Sequence, residues 1–248
     1  MPNIPHRIIY EGGKVGRGAS QPTYGLLNVI VKHNDDKRKF MVSNEIVALG
    51  FAQYLHLPVP PGGIVMNRAG TQPRFFSLEI FPDGPKPIPH ADPAMIADKF
   101  TELCWGITLF DALLINKDRR PGNLAYDKKF DAIAIFDHGN CLFGTLGRAK
   151  IENHVDWIGT GDHCLEKSLK RATGYRGWIE TIRNIPDAFI KNTVARGKGV
   201  GYTSDDCQFI SDQLISRKAR LHQFVLNQIA KFAALLPAER KKIQEMTI

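Results

Sequence analysis

A polar window interrupts apolar flanks at Leu113-Leu114-Ile115-Asn116-Lys117-Asp118-Arg119-Arg120-Pro121-Gly122-Asn123, and Phe136-Asp137-His138-Gly139 follows shortly after. Asp118 stands five residues before Asn123, and Asp137 closes an apolar run and is followed by X-Gly. Phosphoryl transfer needs one carboxylate to accept a hydroxyl proton. It also needs a carboxylate and an amide oxygen to hold magnesium against phosphates. The spacing is the one by which kinase-type phosphotransferases assemble a base and two metal ligands. Asp118 is the candidate base, and Asn123 and Asp137 are the candidate metal ligands.

Two features upstream fit the same chemistry. Lys32 ends an apolar strand that follows a glycine-rich stretch containing Gly16 and Gly18, and Glu45 falls one turn into the next helix. A strand lysine that steadies nucleotide phosphates needs a glutamate to hold it in place. Either residue alone reads as a solvated surface charge, and Gly16-x-Gly18 alone is a weak loop signal. The order of all the elements together, rather than any one of them, points to this chemistry.

The elements that must position these residues divide by composition. Residues 24–32, 64–66 and 75–81 read as strands, with a turn at 67–71. Residues 44–56 read as one helix with Ser43 as N-cap, ended by Pro58, Pro60 and Pro61. A proline-bearing linker at 82–89 marks the shift to helical patterning. Asp92-Pro93 starts a helical region whose apolar face includes Met95, Phe100, Ile107 and Phe110. A hairpin follows at 124–136, then helices at 178–192 and 205–236, with Pro237 stopping the last before a short basic helix. The expected fold is α+β, with a small β-rich N-terminal part over residues 1–82 and a mainly helical part over 83–248.

Composition excludes several classes. With 248 residues, 43% hydrophobic and 23% charged, the chain can bury its own core and is not disordered. Cys104, Cys141, Cys164 and Cys207 form no C-x-x-C pair, so neither a disulfide framework nor a zinc ribbon is expected. His154, His163, Cys141 and Cys164 lack ligand spacing, and no zinc is expected there. Trp157 and Trp178 read as core anchors, and Gly197-Lys198-Gly199 as a solvent loop. The start lacks the apolar stretch of a signal peptide, and 101–115 is interrupted by Glu102 and Asp111. Cytoplasmic residence without membrane insertion is the expectation. The net charge of +8 is spread in short clusters around Lys37, Arg119, Arg217 and Arg240 that read as solvated faces. Direct nucleic-acid binding is therefore kept only as the alternative to an enzyme.

The segments Gly18-Ala19-Ser20-Gln21-Pro22, Val31-Lys32, Asn44-Glu45, Leu57-Pro58-Val59-Pro60 and Asn116-x-Asp118-Arg119-x-x-x-Asn123 resemble the HipA-like kinases, relatives of the phosphatidylinositol 3- and 4-kinase group. The resemblance spans about residues 12–145. It implies a bilobal protein-kinase-like fold, ATP with Mg2+, and transfer of the γ-phosphate to a serine or threonine of a protein. A phosphoinositide or a small molecule is the alternative acceptor, and a non-catalytic kinase-like module the alternative function. Carried over by position, Gly16, Gly18, Ala19 and Ser20 form the phosphate loop, Lys32 contacts the phosphates with Glu45 holding it, and Glu79 and Ile80 lie at the adenine hinge. His138 replaces the phenylalanine of the usual Asp-Phe-Gly, and Val15, Gly16 and Arg17 stand where the family carries its regulatory serine. Loop autophosphorylation, toxin behaviour and an antitoxin partner are not carried over.

Overall fold

A computed structural model describes residues 8–15, 22–80, 91–153 and 163–247. Strands come first. β1 (Ile8–Lys14) and β2 (Thr23–Leu27) pair antiparallel as a separate ribbon. β3 (Val29–Lys32), β4 (Gly62–Met66) and β5 (Pro73–Leu78) form an antiparallel sheet in the order β3-β5-β4. The expected single strand over 24–32 is thus two strands that change sheets at Asn28. Asparagine is a poor strand residue, and its carbonyl is taken by the Glu79 N–H at 3.0 Å.

The pleat sorts the faces of this sheet. Lys32 lies opposite Phe75 and Ile30 opposite Ser77, so these side chains share one face. Against the sheet packs α1 (Met41–Tyr54), buried without a break from Val42 to Ala52. A helix buried all round has partners on more than one side. Its others are α6 (Asp187–Ala195) and the loop after it. The helix begins earlier than Ser43, which is therefore no cap. Asn34 does the capping from eight residues upstream, accepting the Val42 N–H at 2.9 Å.

The helical part starts where the sequence indicates. Asp92 caps α2 (Pro93–Lys99) by accepting the Ala94 N–H at 3.0 Å, with Pro93 in the first turn. α3 (Thr101–Leu113) is buried along nearly its whole length. The hairpin is β6 (Leu124–Asp127) and β7 (Ala132–Ile135), followed by α4 (Arg148–Glu152). The expected helix over 178–192 is two, α5 (Tyr175–Arg183) and α6, because Pro186 bars helical geometry at Ile185. α7 (Ser204–Asn227) opens with a capping box between Thr203 and Asp206 and ends nine residues before the expected 236. The chain turns there so that Phe232 can stack on Trp105 at 5.2 Å. Pro237 opens α8 (Pro237–Glu245) rather than merely stopping what precedes it.

One contiguous apolar core joins α1, Leu57 and Phe75 to α3, α5, α7 and Ile243 of α8. Trp178 packs over Gly106 of α3, where an added Cβ would stand 2.4 Å from the indole ring. The linker region 81–90 and the expected boundary in it lie outside the described residues, as do His154 and Trp157. No helix among the described residues is long and apolar enough to cross a membrane.

Candidate active site

Lys32 leaves the end of β3 toward α1, and its ammonium meets two carboxylates at once. Nζ lies 2.5 Å from Glu45 Oε1 and 2.6 Å from Asp137 Oδ1. Burial disfavours the ammonium, but the two carboxylates outweigh that and raise its pKa above the ordinary lysine value. Burial pushes the Glu45 carboxyl up while Lys32 pulls it back. For Asp137 the balance runs the other way. The charge and hydrogen bond of Lys32 overcome burial and hold the carboxyl below the usual range.

Asp137 follows β7 with φ at +63°, in the left-handed region. A non-glycine residue held there stores on the order of 1–3 kcal/mol and persists only where its surroundings fix it. Those surroundings are visible. Asn44 Nδ2 donates to the Gly139 carbonyl at 2.7 Å, Tyr202 Oη donates to Asn44 Oδ1, and the Cys141 thiol lies 3.6 Å from the Asn44 carbonyl. The residue beside Glu45 on α1 thereby holds the turn after Asp137.

A cavity of about 280 Å³ opens beside this ion triad. Ile30, Leu49, Val59, Phe75 and Ile135 give it apolar walls, and Glu79 and Ile80 close it along the exit of β5. Lys32, Glu45, Asp137 and His138 line the polar end. The structure thus gathers Lys32, Glu45, Glu79, Ile80 and Asp137 around one space. Gly16, Gly18, Ala19 and Ser20 lie outside the described residues.

Asp118 and Asn123 are not among the cavity walls but share the loop after α3. Asn123 Nδ2 donates to the Asp118 carbonyl at 2.6 Å, which leaves the amide oxygen, the end a metal requires, out of that bond. Arg120 pairs with the Asp118 carboxylate, Nε to Oδ1 at 2.6 Å. The arginine side chain is 63% exposed, so this pair is weak and easily exchanged.

Behind the loop lies a network that the sequence reading does not anticipate. Arg119 is fully buried and forks onto Asp111, Nε to Oδ2 at 2.8 Å and Nη2 to Oδ1 at 3.0 Å. Burial opposes the Asp111 carboxylate, yet Arg119 and His163 hold its pKa well below the usual range. Arg119 Nη2 also lies 2.9 Å from His138 Nε2. A guanidinium only donates, so His138 accepts there and carries its own proton on Nδ1, 3.9 Å from Glu45 Oε2. Burial first, then the charge of Arg119, pushes the His138 pKa down to about 3 and keeps the ring neutral. His163 Nε2 sits 3.1 Å from Asp111 Oδ2. The available signal was Asp111 itself, the one acid of α3 besides the exposed Glu102 of its first turn, among apolar neighbours.

No family model matches the chain, and no curated protein is similar to it. Among solved structures, the crystal structure of a Helicobacter pylori proinflammatory kinase, CtkA, is similar at a TM-score of 0.47 and 15% identity over 100% of each chain. A likeness that loose carries no argument, and the functional reading rests on the site.

Proposed function

We propose that the protein is a phosphotransferase of the bilobal kinase type that uses ATP and Mg2+, with a small strand-rich lobe over 1–82 and a helical lobe over 83–248. One observation carries this reading: the Lys32 ammonium is shared between Glu45 of α1 and Asp137 after β7, at the polar end of an apolar-walled cavity. The donor set fits the cofactor. Asp137 and Asn123 offer hard oxygen ligands suited to magnesium, and the cavity walls suit a flat apolar ring. Magnesium-bound ATP supplies the transferable phosphoryl group. Glu79 and Ile80 would border the adenine, Lys32 would neutralise phosphate oxygens with Glu45 fixing its direction, and Asn123 and Asp137 would hold the metal. Asp118 would take the proton of the acceptor hydroxyl once Arg120 has moved aside. The acceptor in this reading is serine or threonine of a protein.

Part of the basic clusters behind the nucleic-acid alternative is engaged within the protein. Arg217 is buried, Lys218 pairs with Asp187, and Lys241 and Lys242 pair with Glu245 and Glu239. Separating the two aspartates tests the enzyme. Asp137→Asn should weaken magnesium-dependent nucleotide binding and transfer together. Asp118→Asn should leave Mg-ATP affinity nearly intact and lower transfer by about 10²–10⁴-fold. Absence of Mg-ATP binding by the unaltered protein at about millimolar concentration, measured by thermal shift, would sink the reading. Labelled ATP offered with lysate and with phosphoinositide vesicles separates the acceptors, and label in lipid alone would overturn the protein acceptor.

A further inference from the structure

Asp111 is not among the cavity walls, yet the backbones of Asp118, Asn123 and Phe136 all trace back to it. Its Oδ1 accepts Asn116 Nδ2 at 2.7 Å, and Asn116 Oδ1 in turn accepts the backbone N–H of Asp118 at 3.2 Å. Both of its oxygens hold Arg119. The other nitrogen of that guanidinium, Nη1, donates to the carbonyl of Asn123 at 2.9 Å and to that of Phe136 at 3.1 Å. Phe136 directly precedes Asp137, and its own N–H reaches the Asn123 carbonyl at 3.4 Å.

We propose that Asp111 is a positioning residue: by locking Arg119 it makes one guanidinium tie the backbone of Asn123 to that of Phe136, and through Asn116 it fixes the backbone of Asp118. The proposal rests on the phosphotransferase reading and extends it to a residue remote from the reacting groups. Its chemical logic is the rigidity of a bidentate, desolvated pair. An arginine gripped on two atoms presents its remaining N–H in a fixed direction, which a solvated arginine does not. Arg119 and Asp111 are both fully buried, so water offers neither a substitute partner. The polypeptide between Asn123 and Phe136 is a two-stranded hairpin, too small a sheet to hold its ends rigidly by itself. The guanidinium clamps those ends.

The test separates positioning from mere folding. Asp111→Asn keeps the shape and removes the charge. Arg119→Lys keeps a buried ion pair with Asp111 but has no second nitrogen to span the two carbonyls. Adenosine, which carries no phosphate, reports the apolar cavity alone. Both variants should bind adenosine within about twofold of the unaltered protein, need about tenfold more magnesium for half-maximal transfer, and lose about 10²-fold in turnover, the cost of a misplacement near 1 Å. Combined, they should cost no more than the worse single variant, because the two side chains act as one unit. Additive losses, or a folded Asp111→Asn with unaltered magnesium dependence and turnover, would overturn the proposal. If Asp111→Asn does not fold, Arg119→Lys decides alone, and normal magnesium dependence there overturns it equally. Absence of transfer by the unaltered protein at every magnesium concentration overturns the phosphotransferase reading itself, and this proposal with it.

Discussion

Lys150 shows how far burial can move a side chain's chemistry. It sits on α4, almost without exposure, and its Nζ donates to the carbonyl of Asn140. Burial, helped by the charges of Lys117 and Arg217 against that of Asp118, pushes its pKa down to about 8 from 10.5. The unfolded chain then binds a proton between those values that the folded chain does not, so folding stability should rise as pH climbs from about 8 to 10.5. At about 1.36 kcal/mol per pH unit the rise is bounded near 3 kcal/mol. Urea midpoints across that window, in the unaltered protein and in Lys150→Met, check this, and equal slopes in the two would refute it. The candidate site was legible at this same scale only in part. Asp118, Asn123 and Asp137 are candidates by type and spacing, a signal local to the chain. Asp111 and His163 meet across 52 positions, and Asn34 caps α1 from outside it, which no local pattern records.

Among the elements, α3 depends on a partner that a sequence reads as surface. Arg217 of α7 is buried and donates to the carbonyls of Ala112 and Leu113 at 2.7 and 3.2 Å, with Phe224 beneath its guanidinium. The end of a helix leaves such carbonyls unpaired unless something caps them. Arg217→Met should therefore cost about 2–4 kcal/mol, since hydrogen bonds to charged groups contribute about 1.5–3 kcal/mol each. An unshifted denaturant midpoint would show that the cap is dispensable. Helix starts were readable where chemistry is local, as at Asp92-Pro93. Their ends were not. Pro186 splits 178–192 by a rule that was available, whereas the end of α7 at Asn227 follows from Phe232 reaching Trp105 and has no local signal.

At the scale of the whole molecule, α1 belongs to the sheet and to the helices alike. It packs on β4 and β5, its Ser43 donates to the Gly197 carbonyl at 3.1 Å, and Asn34 just before it donates to the Val200 carbonyl at 2.7 Å. Of the Gly197-Lys198-Gly199 segment, read as a solvent loop, Lys198 and Gly199 are exposed, whereas Gly197 is buried against this helix. Gly197 is required there, since an added Cβ would lie 2.5 Å from the Tyr202 ring. A helix fixed from both sides opens only when the core opens. Hydrogen exchange should place the amides of α1 in the slowest class together with those of α3. Exchange of α1 much faster than α3, in step with the strands, would show instead that the helix swings independently.

Lys32 stands beside Asp137 where a divalent ion would be bound, and it is tethered to the chain. It is thus a resident monovalent counter-ion for two acids, leaving the polar end of the cavity one charge short of neutrality. A polyanion arriving alone meets that deficit. In the proposed reading a divalent ion on Asp137 would turn the local sum positive, and Lys32 would keep Glu45 as its remaining acid and turn its free charge to the phosphates. Cation uptake and anion capture would then be a single exchange of partners at Asp137, with the lysine anchored on Glu45 as its pivot.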